Sequence, residues 1–446
     1  MTEKPPESVL LVAGGRPLTG TVTVPGDKSI SHRALLLAAV ADGTSVVRGL
    51  SDGDDVQRTA AAIAALGAEM NGERITGGPD RMKAPTGPLD VGNSGTTIRL
   101  LAGLVAGWDF TVVMGGDASL SRRPMDRVAI PLRLMGAEVH GTGARVLPPL
   151  TIHGGALHGI DYSPPMASAQ VKSCVLLAAL RAEGETVVRE RVATRLHTEE
   201  MLALCGADMT VKDGDDGTHV VRLRASALRP FEIDIPGDPS QAAFWMVAGC
   251  VVAGSDITVP SVYVGPGRRG YLDVLRRMGA DIEEQPETGA RSLAATATLR
   301  ARFGPLRAAA VDASEITGLD EVPVLAVAAA CAKGTSVFSG VGELRVKESD
   351  RLSAVVALVR AFGGSADTEG DDLVVHGSPS LSPGNFDAGG DHRMAMAGAI
   401  AAAVADTTAD TAGPSRISGF ESVVTSYRAF ADHLAHLAGD GAGSGS

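Results

Sequence analysis

The run Gly26-Asp27-Lys28-Ser29-Ile30-Ser31-His32-Arg33 places an ammonium, a hydroxyl and a guanidinium directly ahead of the apolar stretch ALLLAA. A glycine that frees the backbone, followed by donors where a helix begins, makes a cradle for an anion, because the helix's unpaired N–H groups and positive end point at the same place. The pattern returns at VGNSGTTIRL, where Asn93, Ser94, Gly95, Thr96 and Thr97 stand at the entrance to another apolar helix and Gly95 lets a ligand approach the backbone. LSRRPMDR sets Arg122, Arg123 and Arg127 around a proline, and PPMASAQVKS sets Ser168, Gln170 and Lys172 before VLLAAL. Farther on, LDEVPVLAVAAA, GELRVKESDRLSAVV and DHRMAMAGAIAAA crowd Asp320, Lys347, Glu348, Asp350, Arg351, Asp391 and Arg393 onto the starts of helices otherwise made of Ala, Val and Leu. Taken singly, each cluster also reads as an ordinary capped helix or a salt-bridged solvated face, and KESDR in particular carries i,i+3 and i,i+4 pairs. Six clusters at equivalent places in six repeats need six coincidences on that reading, and one shared anion cleft on the other.

The elements that must position these residues announce themselves as an internal repeat. A helical apolar pattern ending in Gly-Ala and running into an alternating strand recurs as AAIAALGAEM, PLRLMGAEV, MLALCGADM, VLRRMGADI and VVALVRAFGGSA, with a weaker FADHLAHLAGD at the end. A second phrase keeps step with it: a small-residue apolar helix, a glycine turn, then a β-rich stretch, as in LLLAAVADGTSVV and VLLAALRAEGETVV. The spacing, about 70 to 85 residues, exceeds that of solenoid repeats, so each unit should be a small α/β subdomain. A chain of 446 residues exceeds a single ordinary core, and six units in two domains give three units per domain. Val24-Pro25-Gly26 and its echo Ile235-Pro236-Gly237 are the expected hinge strands. They delimit an N-terminal domain over 24–237 and a C-terminal domain over 1–23 and 238–438, with 439–446 a disordered tail.

Composition narrows the function class. Aromatic residues are only 3%, so the interior must be built from Ala, Val, Leu and Ile. A formal net charge of −12 without any Lys/Arg run argues against nucleic-acid binding, whereas a cleft focuses the field of a few local cations whatever the total. Cys174, Cys205, Cys250 and Cys331 stand singly among apolar residues and read as buried free thiols in a reducing cytoplasm. The start MTEKPPESVLLVAGG lacks the features of a signal peptide, and the longest apolar segments are too short to span a bilayer, so a soluble protein is expected.

GDKSISHR, GNSGTT, SAQVKS, LRVKESDRL and DHRMAMA resemble, in order and from about residue 15 to 435, the motifs of the 5-enolpyruvylshikimate-3-phosphate synthase family. SAQVKS with TRLHTE is closer to the branch that includes glyphosate-insensitive bacterial enzymes. The resemblance implies a two-domain inside-out α/β barrel of six βαβαββ-type units, three per domain. It implies transfer of an enolpyruvyl group from phosphoenolpyruvate to shikimate 3-phosphate with release of phosphate, without metal or organic cofactor. Lys28, Ser29, Arg33, Ser168, Ala169, Gln170, Arg195, Asp320 and Lys347 would hold shikimate 3-phosphate, and Lys28, Gly95, Arg123, Gln170, Arg351 and Arg393 phosphoenolpyruvate. The substrates bring roughly six negative charges, whose mutual repulsion those seven basic side chains would offset. Asp320 is the candidate base at the acceptor hydroxyl, Glu348 the candidate acid at the methylene, and Lys28 a candidate proton carrier. Substrate charge would draw the two domains together, and a site made from one chain is compatible with a monomer.

The chain departs from the family pattern at two places: Thr425 stands where many relatives have Lys, with Arg428 nearby, and Glu343 replaces a neutral amide. At Gly95 insensitive relatives can carry Ala, so glyphosate should inhibit this enzyme. The sister family that acts on UDP-N-acetylglucosamine usually has a loop Cys or Asp and a Lys-Asn pair. Here Ser29 follows Lys28 and GGDASLSRRPMD has no Cys. A non-catalytic repeat that only binds phosphorylated metabolites is the remaining alternative, against which the acid and base candidates count.

Overall fold

The computed structural model describes residues 8–287, 293, 295–405 and 413–439, so the expected tail lies outside the described residues from 440 onward. Helices hydrophobic on every side must be covered on every side, and the small-residue phrases form six such helices: α1 (Lys28–Val40), α3 (Gly95–Ala106), α5 (Ala169–Ala179), α7 (Pro239–Val251), α9 (Val322–Ala330) and α11 (His392–Val404). All of α7 and α9 is buried, and in α11 only the last residue escapes. The Gly-Ala phrases form the outer helices: α2 (Asp54–Ala65), α4 (Asp126–Leu134), α6 (His197–Leu204), α8 (Gly270–Arg277), α10 (Arg351–Ala361) and α12 (Phe430–Leu437). In α8 the exposed or half-exposed Asp273, Arg276 and Arg277 alternate with buried Leu272, Val274 and Leu275. Outer helices stop at glycines in the left-handed region, for example Gly206 (φ 76°) and Gly363 (φ 78°), where a side chain would be strained.

An inner helix, a strand, an outer helix and a hairpin follow one another, and five sheets share one strand order. In one, Leu89–Asp90 runs parallel to Thr111–Gly115, which pairs antiparallel with Leu147–His153, itself antiparallel to Glu138–Thr142. The same order recurs for Asp161–Tyr162, Glu185–Glu190, His219–Arg224 and Met209–Asp213, and for Ala310–Asp312, Thr335–Ser339, Asp372–His376 and Ser365–Glu369. These are repeated βαβ-type units of an α/β fold.

Two sheets take their parallel edge from a distant part of the chain. Thr19–Thr21 precedes α1 in sequence but pairs with Asp256–Tyr263, beside Thr296–Arg302 and Asp281–Glu287. Glu232–Asp234 precedes α7 but pairs with Gly43–Arg48, beside Arg74–Gly77 and Glu69–Asn71. Correspondingly, the described chain divides into two compact units, one of Gly26–Ile235 with Leu293 and a second of 8–25 together with 236–287 and the described residues from 295 onward. The three-stranded sheet of the last unit departs from the expected βαβαββ pattern. Its strands are Asn385–Asp387 and Ser415–Ser418, with Val9–Val12 standing where a hairpin would be, because the chain after Ser418 enters a single 3-10 turn and α12.

Cys174, Cys205 and Cys250 are buried free thiols, whereas Cys331 is only partly buried, because it caps the end of α9 beside the turn at Gly334. Burial pushes Cys205, Cys250 and Cys331 up to about 12, which removes thiolate chemistry near neutral pH. Among the described residues no helix is long and apolar enough to cross a membrane.

Small residues bring the inner helices together at backbone distance. A Cβ at Gly103 of α3 would lie 2.1 Å from the carbonyl oxygen of Cys174 in α5, inside van der Waals contact. Gly103→Ala should therefore force the helices apart and lower stability by about 1–3 kcal/mol, measured by urea unfolding; an unchanged midpoint would show that the pair can separate at no cost.

Candidate active site

In the Gly26–Ile235 unit the three inner helices begin on side-chain caps: Asp27 accepts from the N–H of Ile30 (2.8 Å), Ser94 from Thr97 (3.2 Å) and Ser168 from Val171 (3.4 Å). Each cap leaves the other first-turn donors facing outward with the helix's positive end. Side chains then tie these first turns together. Buried Arg33 donates through Nε to Thr198 Oγ1 (2.7 Å), through Nη1 to the Ser29 carbonyl (2.9 Å) and through Nη2 to Ser173 Oγ (2.6 Å). Ser173 donates to the Ala169 carbonyl (2.6 Å), so α1 is pinned to the first turn of α5. Gln170 donates to Thr96 Oγ1 (3.0 Å) and accepts from Arg99 Nη1 (2.8 Å), which pins α5 to α3.

The remaining N-terminal candidates join this assembly. Arg195, ahead of α6, donates to Ser29 Oγ (3.2 Å). Lys28 Nζ lies 3.0 Å from Asp55 Oδ2, at the start of α2. Arg123 donates to Asn93 Oδ1, and Asn93 donates in turn to Asp117 (2.7 Å). A Cβ on Gly95 would meet Arg99 Nη1 at 3.0 Å and Arg123 Nη1 at 3.1 Å, so both guanidinium groups flank that bare backbone. Lys28, Ser29, Arg33, Gly95, Arg123, Ser168, Ala169, Gln170 and Arg195 therefore belong to one constellation at the helix starts.

A second constellation occupies the other unit. Arg351 opens α10 and is 1% exposed, yet it contacts three carboxylates: Asp391 through Nε (2.8 Å), Asp320 through Nη1 (3.2 Å) and Glu348 through Nη2 (2.6 Å). Burial opposes its charge, but Glu348, Asp391 and Asp320 outweigh burial and raise its pKa. Asp391, the cap of α11, is held low by Arg351 against its own burial. Arg393 reaches Asp320 Oδ2 at 3.5 Å, so Asp320 lies between two guanidinium groups. Asp350 is spent on capping α10 through Ser353. Lys347 pairs with Glu343 at 3.4 Å, so the replaced amide position holds a partner for the substrate-binding candidate. Thr425 ends the 3-10 turn Phe420–Thr425 half-buried, and Arg428 is exposed.

Reading the motifs alone passes over Arg99, Ser173, Thr198 and Asp55. Arg99 was findable, because it stands one helical turn after Gly95 and shares its face. Thr198 and Asp55 were not, since they lie at outer-helix starts whose partners are 165 and 27 residues away. Among the described residues, carboxylate oxygens of Glu190 and Glu199 and a nitrogen of His219 come within 4.8 Å of one another, as metal ligands would. The ammonium of Lys172 already lies between the carboxylates, 2.7 Å from Glu190 and 2.6 Å from Glu199.

A family model described as EPSP synthase (3-phosphoshikimate 1-carboxyvinyltransferase) matches residues 12–434. The 3-phosphoshikimate 1-carboxyvinyltransferase of Xanthomonas campestris pv. campestris (strain B100) is 45% identical over 438 residues, 96% of either chain. Its namesake from Streptococcus uberis is 42% identical and covers 95% of this chain and 98% of its own. Among solved structures, EPSP synthase from Acinetobacter baumannii has a TM-score of 0.83 at 38% identity, covering 97% of this chain and 98% of that one. A match that runs through every motif of both constellations and nearly the full length on each side leaves one assignment: the chain belongs to the EPSP synthase family, the 3-phosphoshikimate 1-carboxyvinyltransferases.

Proposed function

We propose that the two constellations act together on phosphoenolpyruvate and shikimate 3-phosphate, moving the enolpyruvyl group to the 5-hydroxyl and releasing phosphate. The observation that carries this reading is the gathering of the basic candidates at or near the starts of inner and outer helices within each unit, with Asp320 and Glu348 bonded to the same buried Arg351. On this reading Lys28, Ser29, Arg33, Ser168, Ala169, Gln170, Arg195, Asp320 and Lys347 hold shikimate 3-phosphate. Lys28, Gly95, Arg123, Gln170, Arg351 and Arg393 hold phosphoenolpyruvate, the arginines offering paired donors to phosphate and carboxylate oxygens. The enzyme would work as a cytoplasmic monomer without cofactor, its six units forming an inside-out α/β barrel with domain limits near the Pro-Gly pairs.

The reaction needs one proton removed from the acceptor hydroxyl and one delivered to the methylene carbon; as phosphate departs, the methyl group formed gives up a proton and the leaving phosphate oxygen takes one. Asp320, with its carboxylate 23% exposed between two guanidinium groups, serves as the base. Glu348, 33% exposed on the outer side of Arg351, serves as the acid. Lys28 both offsets substrate charge and can pass a proton. The fixed cations supply donors already oriented for the charge that develops on the leaving phosphate.

Phosphate release should require both substrates, and UDP-N-acetylglucosamine should not replace shikimate 3-phosphate; release with the nucleotide sugar instead would move the chain to the sister activity. Asp320→Asn and Glu348→Gln should each lower kcat by about 10²–10⁴-fold, and normal turnover in either variant would remove that residue's role. Gly95→Ala, whose methyl would press on Arg99 and Arg123, should raise KM for phosphoenolpyruvate and make turnover more tolerant of glyphosate. Wild-type inhibition in that variant would show that the two guanidinium groups yield freely.

A further inference from the structure

Lys172 follows Gln170 by two residues on α5, and its side chain is fully buried. An ammonium in that position loses its hydration, and if stability were its whole purpose an apolar side chain would serve as well or better. Its two carboxylate partners have a particular placement. Glu190 ends the strand Glu185–Glu190, and Glu199 lies in the first turn of α6, so they stand at the two ends of segment 191–198. Glu190 also accepts from the backbone N–H (3.3 Å) and hydroxyl (2.6 Å) of Thr194, inside that segment. Glu199 is shared with His219 Nε2 (3.4 Å), whose Nδ1 lies 2.7 Å from Asp213 Oδ1.

Segment 191–198 carries Arg195 and Thr198, the first bonded to Ser29 and the second to Arg33 and Ser173. Its outer end has no apolar anchorage: Arg191, Val192 and Ala193 are exposed. A polar bracket holds the segment at its base, and that bracket closes on Lys172.

We propose that Lys172 is a positioning residue for shikimate 3-phosphate: by bracing Glu190 and Glu199 it sets Arg195 directly, and Arg33 through Thr198, in register with the first turn of α5. The same helix thus presents Ser168, Ala169 and Gln170 at its mouth and fixes their neighbours from within. The proposal rests on the reading of Arg195 as a ligand of shikimate 3-phosphate, and the two separate experimentally.

The test is steady-state kinetics on Lys172→Met, Arg195→Ala and the double variant of the full chain. Lys172→Met should raise KM for shikimate 3-phosphate about tenfold or more while KM for phosphoenolpyruvate moves no more than about twofold, and it should add less in the Arg195→Ala background than alone, because part of its effect passes through Arg195 and only the part through Arg33 remains. Independent, multiplying effects on that KM, or equal losses for both substrates, would overturn the positioning role. Arg195→Ala with unchanged shikimate 3-phosphate KM would instead sink the reading of Arg195. If Lys172→Met leaves its two carboxylates too destabilising to fold, Lys172→Met combined with Glu190→Gln and Glu199→Gln removes the buried charge and keeps the volume. A folded triple variant with wild-type shikimate 3-phosphate KM overturns the proposal as well.

Discussion

A cation taken out of water must be compensated where it stands, and the compensated guanidinium of Arg351 organises the half-site around it. Burial strips its hydration, and Asp320, Glu348 and Asp391 return the lost energy at 3.2, 2.6 and 2.8 Å. Each of those carboxylates comes from a different place: the turn before α9, the run before α10 and the cap of α11. Satisfying one arginine therefore fixes three chain segments, and it brings the proposed acid and base into contact with the same group. Charge compensation and assembly of the site are one event.

The Gly26–Ile235 unit meets the same constraint with different chemistry. Arg33 bonds to hydroxyl and carbonyl oxygens of Thr198, Ser173 and Ser29, and Gln170 joins Arg99 to Thr96. Neutral acceptors hold a guanidinium in place without cancelling its field, which suits a surface meant for phosphate and carboxylate groups. In the other unit three carboxylates meet one guanidinium, and the proposed acid and base are among them.

The buried group of Lys172, Glu190, Glu199 and His219 shows how far that logic extends from the surface. Glu199 is held low, against its burial, by His219 and Lys172, and His219 is raised first by Glu199 and then by Asp213, against burial. Since the folded pKa of His219 exceeds its unfolded value, its contribution to stability is present below about pH 6.5 and is lost as pH rises through the folded value. The gathering at the base of segment 191–198 is ionic, and it lies beneath side chains proposed to grip an anion.

By itself the sequence determined the repeat, the Ala-rich inner helices, the glycine stops and the identity of the clustered residues, because helical periodicity and capping are local and span only a few residues. The tertiary structure alone decided which strand completes which sheet: Glu232–Asp234 joins Gly43–Arg48, and Val9–Val12 takes the place of a missing hairpin. It decided too that Arg33 meets Thr198, that Asp55 meets Lys28 and that Lys172 sits between two glutamates. The reason is separation along the chain. A hydroxyl or carboxylate at the start of an outer helix looks like any cap until packing brings a cation to it, and no spacing rule encodes a partner 165 residues away.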